Sequence, residues 1–569
     1  MLFSDTQEAE LSLNWPSPIN TAESSTYFEP TKPVIDSIRL EFEVQDYLRH
    51  INPSANTWCH DSAAPQCFAL IESWIKRCES DHPECKGMRE NFLVNPKRLL
   101  QISSTLEESC VHLVQVEKSD SPRYTALSHC WGNTLGFKTT RQNLEAHTTE
   151  GIMISKLPRT YQHAIDISKR IGCQYVWIDS ICIVQDSKEE WELACETMGH
   201  IYGNAHVVIG ATHAPNDSAG IYTDRKNKVA YLENRGKRVP ILVREKIRHD
   251  VWQNDEPSWQ AWNDQSMPLF GRAWAFQERL LARRIIHYTQ EEIVWECRSD
   301  SWCECGRLGT DRYPRERFPQ SNNFKTRYAQ VIKYGSDMDR FGLWLSVIDQ
   351  YQARGITHPK DRLPALEAIA EQVNRDDLMG LYVAGMWVDW LVGSLLWRAD
   401  ANSSKVAKKD ESHKRPNPSS APTWSWLSVE GPISTWGRNS QSDIKLVNIE
   451  YTLAGDNIYG PYNTAKLELE GQMIGVMIHA MASQLYIVRS CQSPEKAHFL
   501  PDTNPFEINP NKLIETEFYA LKHSRSPSVL WNCLILTVSA GGKEFRRVGI
   551  AEVGLGWFSD VSRKRITIV

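Results

Sequence analysis

The chain has 569 residues, too many for one ordinary domain, and 41% of them are hydrophobic, enough for a sizeable core. The formal net charge is −6, which argues against a general nucleic-acid or anionic-membrane binder. The 14 Cys form no compact framework and several sit beside apolar runs, so they read as reduced, buried thiols of a cytoplasmic protein.

Residues 1–55 form a polar N-terminal segment broken by Pro16, Pro18, Pro30 and Pro33, with a short helix predicted over 35–50. The acidic, polar first 14 residues do not read as a secretory signal. Residues 56–120 are a lead-in holding Cys59, Cys67, Cys78, His82 and Cys85. Cys78, His82 and Cys85 are weak zinc candidates, with Cys59 or Cys67 as a fourth ligand. Their spacing fits no common zinc module, so plain buried thiols are the competing reading. Residues 111–116 (VHLVQV) alternate and predict a strand.

An α/β core is predicted over 121–305. The strand 124–127 (YTAL) runs into Ser128-His129-Cys130-Trp131-Gly132. Pro158 opens a helix with Tyr161, Ala164, Ile165, Ser168 and Ile171 along one side. Val176, Trp177 and Ile178 then make a covered strand that ends at Asp179. Ser187 with Glu190 is a capping box that opens the next helix, and 206–211 (HVVIGA) is the next strand. This alternation predicts a parallel sheet covered on its faces. An insert over 220–270 contains a predicted edge strand at 239–243 and a Trp-rich loop with Trp252, Trp259 and Trp262.

Further along, Cys303 and Cys305 lie in a polar loop and read as thiols without an assigned role. A helical region is expected over 306–402. Within it, 381–397 (LYVAGMWVDWLVGSLLW) is short for a membrane span and carries Asp389, so it predicts a buried helix. Residues 403–420 are charged and rich in Ser and Pro, which predicts an exposed linker. Residues 421–569 hold strand patterns at 444–452, 465–480, 530–538, 545–553 and 566–569, and predict an antiparallel β module.

Three groups of polar residues stand at the ends of predicted elements. They are Ser128 and His129, Asp179 and Cys182, and Arg272, Trp274, Gln277 and Glu278 in 272–278 (RAWAFQE). Ligands of open parallel sheets sit past the carboxyl ends of the strands, so these groups together predict a polar pocket for a phosphate or ribose. Two structural readings compete: Asp179 caps its own turn, and Arg272 pairs with Asp179 or Glu278 to hold the last segment on the sheet.

The ordered motifs YTALSHCWG, LPRTYQHAIDISKRIG, YVWIDSICIVQD, EEWELACETMGHIYGNAHVVIGA and RAWAFQERLLARRIIHY resemble the heterokaryon incompatibility (HET) domain of filamentous fungi, over about residues 124–297. The resemblance implies non-self recognition and programmed cell death, with self-association or a recognition partner; the net charge and the 381–397 stretch leave no nucleic-acid partner and no membrane span expected. It also implies a TIR-like or Rossmann-like core, and hence a possible NAD glycohydrolase with NAD as its substrate. In that version the catalytic candidates are Glu278, Asp179 and Arg272. Ser128, His129, Trp131, Gly132, Cys182, Trp274 and Gln277 line the substrate. The alternative is a self-associating scaffold without turnover. The chain departs from the family pattern at Ala194, where a Glu is usual, and at His163, where Asp is more common.

Overall fold

The computed structural model describes residues 40–44, 61–86, 94–102, 110–225 apart from 118 and 133–135, and 228–253 apart from 235–236 and 246–248. It continues through 265–309 apart from 307, then 323–399, 413–415 and 421–435. It ends with 442–569 apart from 456, 461, 481–485, 491–494, 504–515, 527–529 and 540.

The α/β part is built on helix α1 (Pro65–Asp81) and strands β1 (Arg98–Ile102), β2 (Cys110–Gln115), β3 (Tyr124–Ser128) and β4 (Ile152–Met153). Helix α2 (Arg159–Arg170), β5 (Tyr175–Trp177), helix α3 (Lys188–Asn204) and β6 (Val207–Gly210) follow. Helix α4 (Ala273–Leu281) leads to β7 (Arg284–Tyr288), β8 (Ile293–Cys297) and β9 (Ser301–Cys303).

These strands form one nine-stranded sheet in the order β9-β8-β7-β6-β3-β5-β1-β2-β4. Only β7, β6, β3 and β5 pair in parallel. Antiparallel strands flank them on both sides, so the sheet is mixed where a parallel one was expected. The antiparallel flanks arise because short connections join β1 to β2 and β7 to β8 to β9, whereas parallel neighbours need a crossover. Numbered among themselves, the parallel strands run 2-1-3-4. In such an order the chain reverses direction between the first and third strands, and the crevice past their carboxyl ends is the ligand position. Here that crevice lies beyond β3 and β6, at the register pair Ser128 and Gly210.

Helix α2 buries Tyr161, Ala164, Ile165 and Ser168, as its periodicity predicts. Helix α3 begins as a half-formed capping box. The Ser187 side chain accepts from the Glu190 N–H, but the Glu190 carboxylate turns away to Arg98 and Lys97. Burial pushes that carboxyl up, and the two cations overcome it and hold it at about 2.

Several expectations are corrected. Within 35–50, the described residues Leu40–Val44 form a strand, paired with Lys237–Glu245. That second strand, which contains the predicted edge strand 239–243, is the middle one of three, with Lys228–Asn234 on its other side. Trp252 is buried against Phe270, while Trp259 and Trp262 lie outside the described residues. Cys303 belongs to β9, and both it and Cys305 are buried.

Helices α5 (Phe324–Tyr334), α6 (Asp337–Gln352) and α7 (Glu367–Val373) follow. The stretch 381–397 is not one helix. It opens with the hairpin Tyr382–Val383 and Met386–Trp387, turned by Ala384 and Gly385 at positive φ, and a short helical turn follows at Leu391–Ser394. Two central residues at positive φ give the turn whose twist suits a two-residue hairpin. Among the described residues no helix is long and apolar enough to cross a membrane.

The last part is an eight-stranded, almost wholly antiparallel sheet. Its long strand Tyr462–Ala480 pairs with Tyr486–Ser490 at one side and Phe518–Arg525 at the other. The path of pairings therefore closes on itself, with Ile474, Val488, Phe499, Cys533, Ile535 and Val553 among the residues packed together on one face. Strands Tyr486–Ser490, Lys496–Pro501 and Phe518–Arg525 were not read from the sequence. Within 403–420, His413 bonds to the Pro432 carbonyl and Arg415 to Asp502 and the Arg547 carbonyl; the other residues of that segment, Lys414 aside, lie outside the described residues.

Candidate functional site

β3 and β5 are adjacent and parallel, with Ala126 opposite Trp177. Two residues further along each strand are Ser128 and Asp179, so both stand at one edge of the sheet. Ser128 and His129, successive along β3, face opposite ways and split the site in two, and Asp179, which opens the helical turn after β5, sits on the His129 side.

On one side, the Ser128 hydroxyl donates to the Glu278 carboxyl, which α4 delivers into the crevice beyond β3 and β6. Glu278 is only 3% exposed. Burial pushes its carboxyl up, and the nearby Asp179 adds to this. Arg272 and the Ser128 and Tyr202 hydroxyls pull it part of the way back, so it stands at about 7. At neutral pH the group is therefore about half protonated.

On the other side, His129 Nε2 lies 3.1 Å from the Tyr161 hydroxyl, which accepts from Ser180 Oγ at 2.9 Å. One hydrogen bond thus joins the ring to Tyr161 through Nε2. Nδ1 faces Asp179 Oδ1 across 3.9 Å, too far for a hydrogen bond. Burial outweighs the Asp179 charge and lowers His129 to about 4, so the ring is neutral at pH 7. Asp179 uses Oδ1 to accept the Ser180 N–H at 2.7 Å and Oδ2 to accept the Trp131 indole N–H at 2.9 Å. Its side chain is 16% exposed, which makes it the carboxylate of the group that solvent reaches.

Arg272 stands between the two sides and donates to the His129 carbonyl rather than forming an ion pair with either carboxylate. It fastens the start of the RAWAFQE segment to the end of β3. A parallel bridge between Arg272 and Gly355 fixes the backbone from the other direction.

The remaining candidates divide. Gln277 accepts the Ala368 N–H at 3.1 Å and so ties α4 to α7. Cys182 is buried and its thiol is pushed up to about 12, which removes it as a nucleophile. Burial raises Cys130 too. Trp274 packs between the sheet core and the helical core. Gly132 has φ +75°, and a Cβ there would meet Asn216 Cβ at 2.4 Å, so only glycine fits this turn. Ala194 is buried, and Glu192 and Glu196 on either side of it are exposed. His163 Nδ1 accepts the N–H groups of Ile221 and Tyr222 at 2.9 and 3.1 Å, a bond that the ring makes as a neutral acceptor. Tyr161, Ser180 and Tyr202 were missed as site residues. The only sequence signal was that Tyr161 and Tyr202 lie on the apolar faces of their helices.

Cys78, His82 and Cys85 do come together, but their fourth neighbour is Cys297 at the end of β8. Cys67 instead donates to Glu304, and Cys59 lies outside the described residues.

No curated protein and no solved structure matches the chain significantly. The family model described as Heterokaryon incompatibility protein (HET) matches residues 124–278, the stretch that begins at β3 and closes at the carboxyl bonded to Ser128. The stretch 124–278 is thus similar to a HET domain.

Proposed function

We propose that this protein acts in fungal non-self recognition, with the HET domain as the effector module that leads to programmed cell death in the cytoplasm. The flanking helical and β parts form its control surface. The observation that carries the reading is convergence: three segments far apart in the chain bring Ser128, His129, Asp179, Arg272 and Glu278 to one edge of the sheet. Glu278 is closed to solvent and occupied by Ser128, which favours a bracing role and a module that signals through self-association. The test is to express the wild type and Asp179→Asn at equal soluble levels in a filamentous fungus and score viability. The wild type is expected to kill and the variant to be impaired. A wild type that is harmless at every expression level refutes the effector role.

A second reading, a TIR-like NAD glycohydrolase, is favoured by Asp179. It is the partly open carboxylate, it stands beside the Trp131 indole, and the strand order 2-1-3-4 suits a TIR-like core. A carboxylate so placed can steady an oxocarbenium-like ribose while nicotinamide departs. Concentrated protein incubated with NAD would then release free nicotinamide, and Asp179→Asn would abolish the release. No release from folded, concentrated protein leaves the scaffold reading alone.

A further inference from the structure

Outside the group at the strand ends, Cys78 in the last turn of α1, His82 just after it, Cys85 and Cys297 point at one another. Their Sγ and imidazole nitrogen atoms all lie within 4.8 Å, with Cys297 Sγ 3.3 Å from His82 Nδ1. A tetrahedral zinc ion with bonds of about 2.3 Å to sulfur and 2.0–2.1 Å to nitrogen needs ligand atoms roughly 3.5–3.8 Å apart, which atoms already within 4.8 Å of one another reach by small side-chain adjustments.

We propose that Cys78, His82, Cys85 and Cys297 bind a structural zinc ion that fastens α1 to the edge of the HET sheet. Three thiols and an imidazole facing one point cannot be resolved by one disulfide, which leaves a third thiol over. Nor do they behave as plain apolar thiols. The Arg284 guanidinium donates to Cys78 Sγ at 3.3 Å, and the Asp300 N–H donates to Cys297 Sγ at 3.3 Å. Donors aimed at sulfur are what a metal-bound thiolate receives from its surroundings. Arg284 is itself buried, and its other bonds go to the carbonyls of His206 and Cys85, with no carboxylate among them. Three thiolates around Zn²⁺ carry one net negative charge, which that guanidinium balances. On binding, each thiol releases its proton to water and nothing is oxidised. All four positions are filled by the protein, so the site is structural.

A separate group carries a second inference. His249 Nε2 lies 2.7 Å from Glu292 Oε1 and 3.4 Å from Cys305 Sγ, which is 3.3 Å from Cys303 Sγ. All four side chains are buried, and their ligand atoms also lie within 4.8 Å. The Leu308 N–H donates to Cys303 Sγ at 3.3 Å and the Cys305 N–H to Glu292 at 3.1 Å. The geometry points to a second zinc ion held by His249, Glu292, Cys303 and Cys305, joining the insert to the β8–β9 hairpin.

The test is the zinc content of the full-length protein, produced in zinc-supplemented medium and purified without chelator. Two ions per chain are expected, falling to one in Cys297→Ser and to one in Cys305→Ser. Content unchanged by Cys297→Ser overturns the first site, and content unchanged by Cys305→Ser overturns the second. Because a buried Cys→Ser change can fail to fold, the wild type is also stripped of metal and refilled with Co²⁺. A thiolate-to-cobalt charge-transfer band with tetrahedral d–d absorption is expected. A wild type with neither zinc nor that band overturns both sites.

Discussion

Replacing Glu278 with Gln removes the ionisation of the site while keeping the shape of the side chain. The carboxyl stands at about 7 in the fold against an ordinary 4.5. A raised carboxyl favours folding in its protonated form, so its contribution is complete below about pH 4.5 and is lost as the pH rises through 7. At about 1.4 kcal/mol per pH unit, the wild type loses about 3 kcal/mol over that window from this one group. Gln cannot ionise and still offers Ser128 an acceptor oxygen, so the variant escapes the loss. Urea unfolding of both proteins at pH 5, 6, 7 and 8, followed by fluorescence and by circular dichroism, measures the difference. Glu278→Gln is expected to be close to the wild type at pH 5 and up to about 3 kcal/mol more stable at pH 8. A difference that stays constant with pH refutes the argument, because Glu278 would then hold one protonation state throughout. A variant clearly weaker at pH 8 would show that Arg272 and Ser128 keep the carboxylate ionised. If cell killing survives in the folded variant, Glu278 has no catalytic role.

Three further outcomes are expected. Burial pushes the Glu296 carboxyl up, but Arg279 and His287 overcome this and hold it well below the usual carboxylate range. Glu296→Gln strands Arg279 in the interior and should cost about 3–5 kcal/mol above pH 5, read as a lower melting temperature, with the gap closing as acid protonates the wild-type carboxylate. Lys325 is buried and its ammonium donates to the carbonyls of Arg279, Leu280 and Ala282, which end α4. Lys325→Met leaves those acceptors bare and should destabilise by about 2 kcal/mol or more, with faster amide exchange in α4 as the local readout. Gly385 has φ +80°, and a Cβ there would meet Trp426 Cζ2 at 2.7 Å, so Gly385→Ala should lower stability by at least about 1 kcal/mol in thermal unfolding.

The alternation of apolar strand and amphipathic helix was enough to place Ser128 and Asp179 side by side, because β3, α2 and β5 form one crossover unit whose geometry is local. What lay hidden depends on partners distant in sequence. β1 completes the sheet beside β5, yet RLLQI carries no pairing information of its own. The Glu190 carboxylate left its capping box for Arg98, 92 residues earlier, and no local rule registers that competition. Cys297, which stands beside His82, comes 215 residues later, so a spacing rule restricted to the lead-in chose the wrong fourth thiol. The stretch 381–397 is mostly apolar, with Asp389 its one charge, and such a run reads alike as a helix or as a buried hairpin. Ala384-Gly385 was its one turn signal.

Helix α4 belongs to two cores at once. Its Glu278 side chain fills the crevice of the HET sheet, while Phe276 and Leu280 lie in the apolar cluster that runs through α6 and α7 to Leu467 and Leu534 of the terminal sheet. The family match ends within this helix. Recombination that cut the gene at the domain boundary would sever a helix whose two faces answer to different halves of the protein. A HET domain received from another lineage would bring an α4 shaped for a foreign helical core. Such a chimera misfits at Phe276 and Leu280 even if every strand is sound, so the domain and its C-terminal companion are expected to be inherited together and to diversify in step.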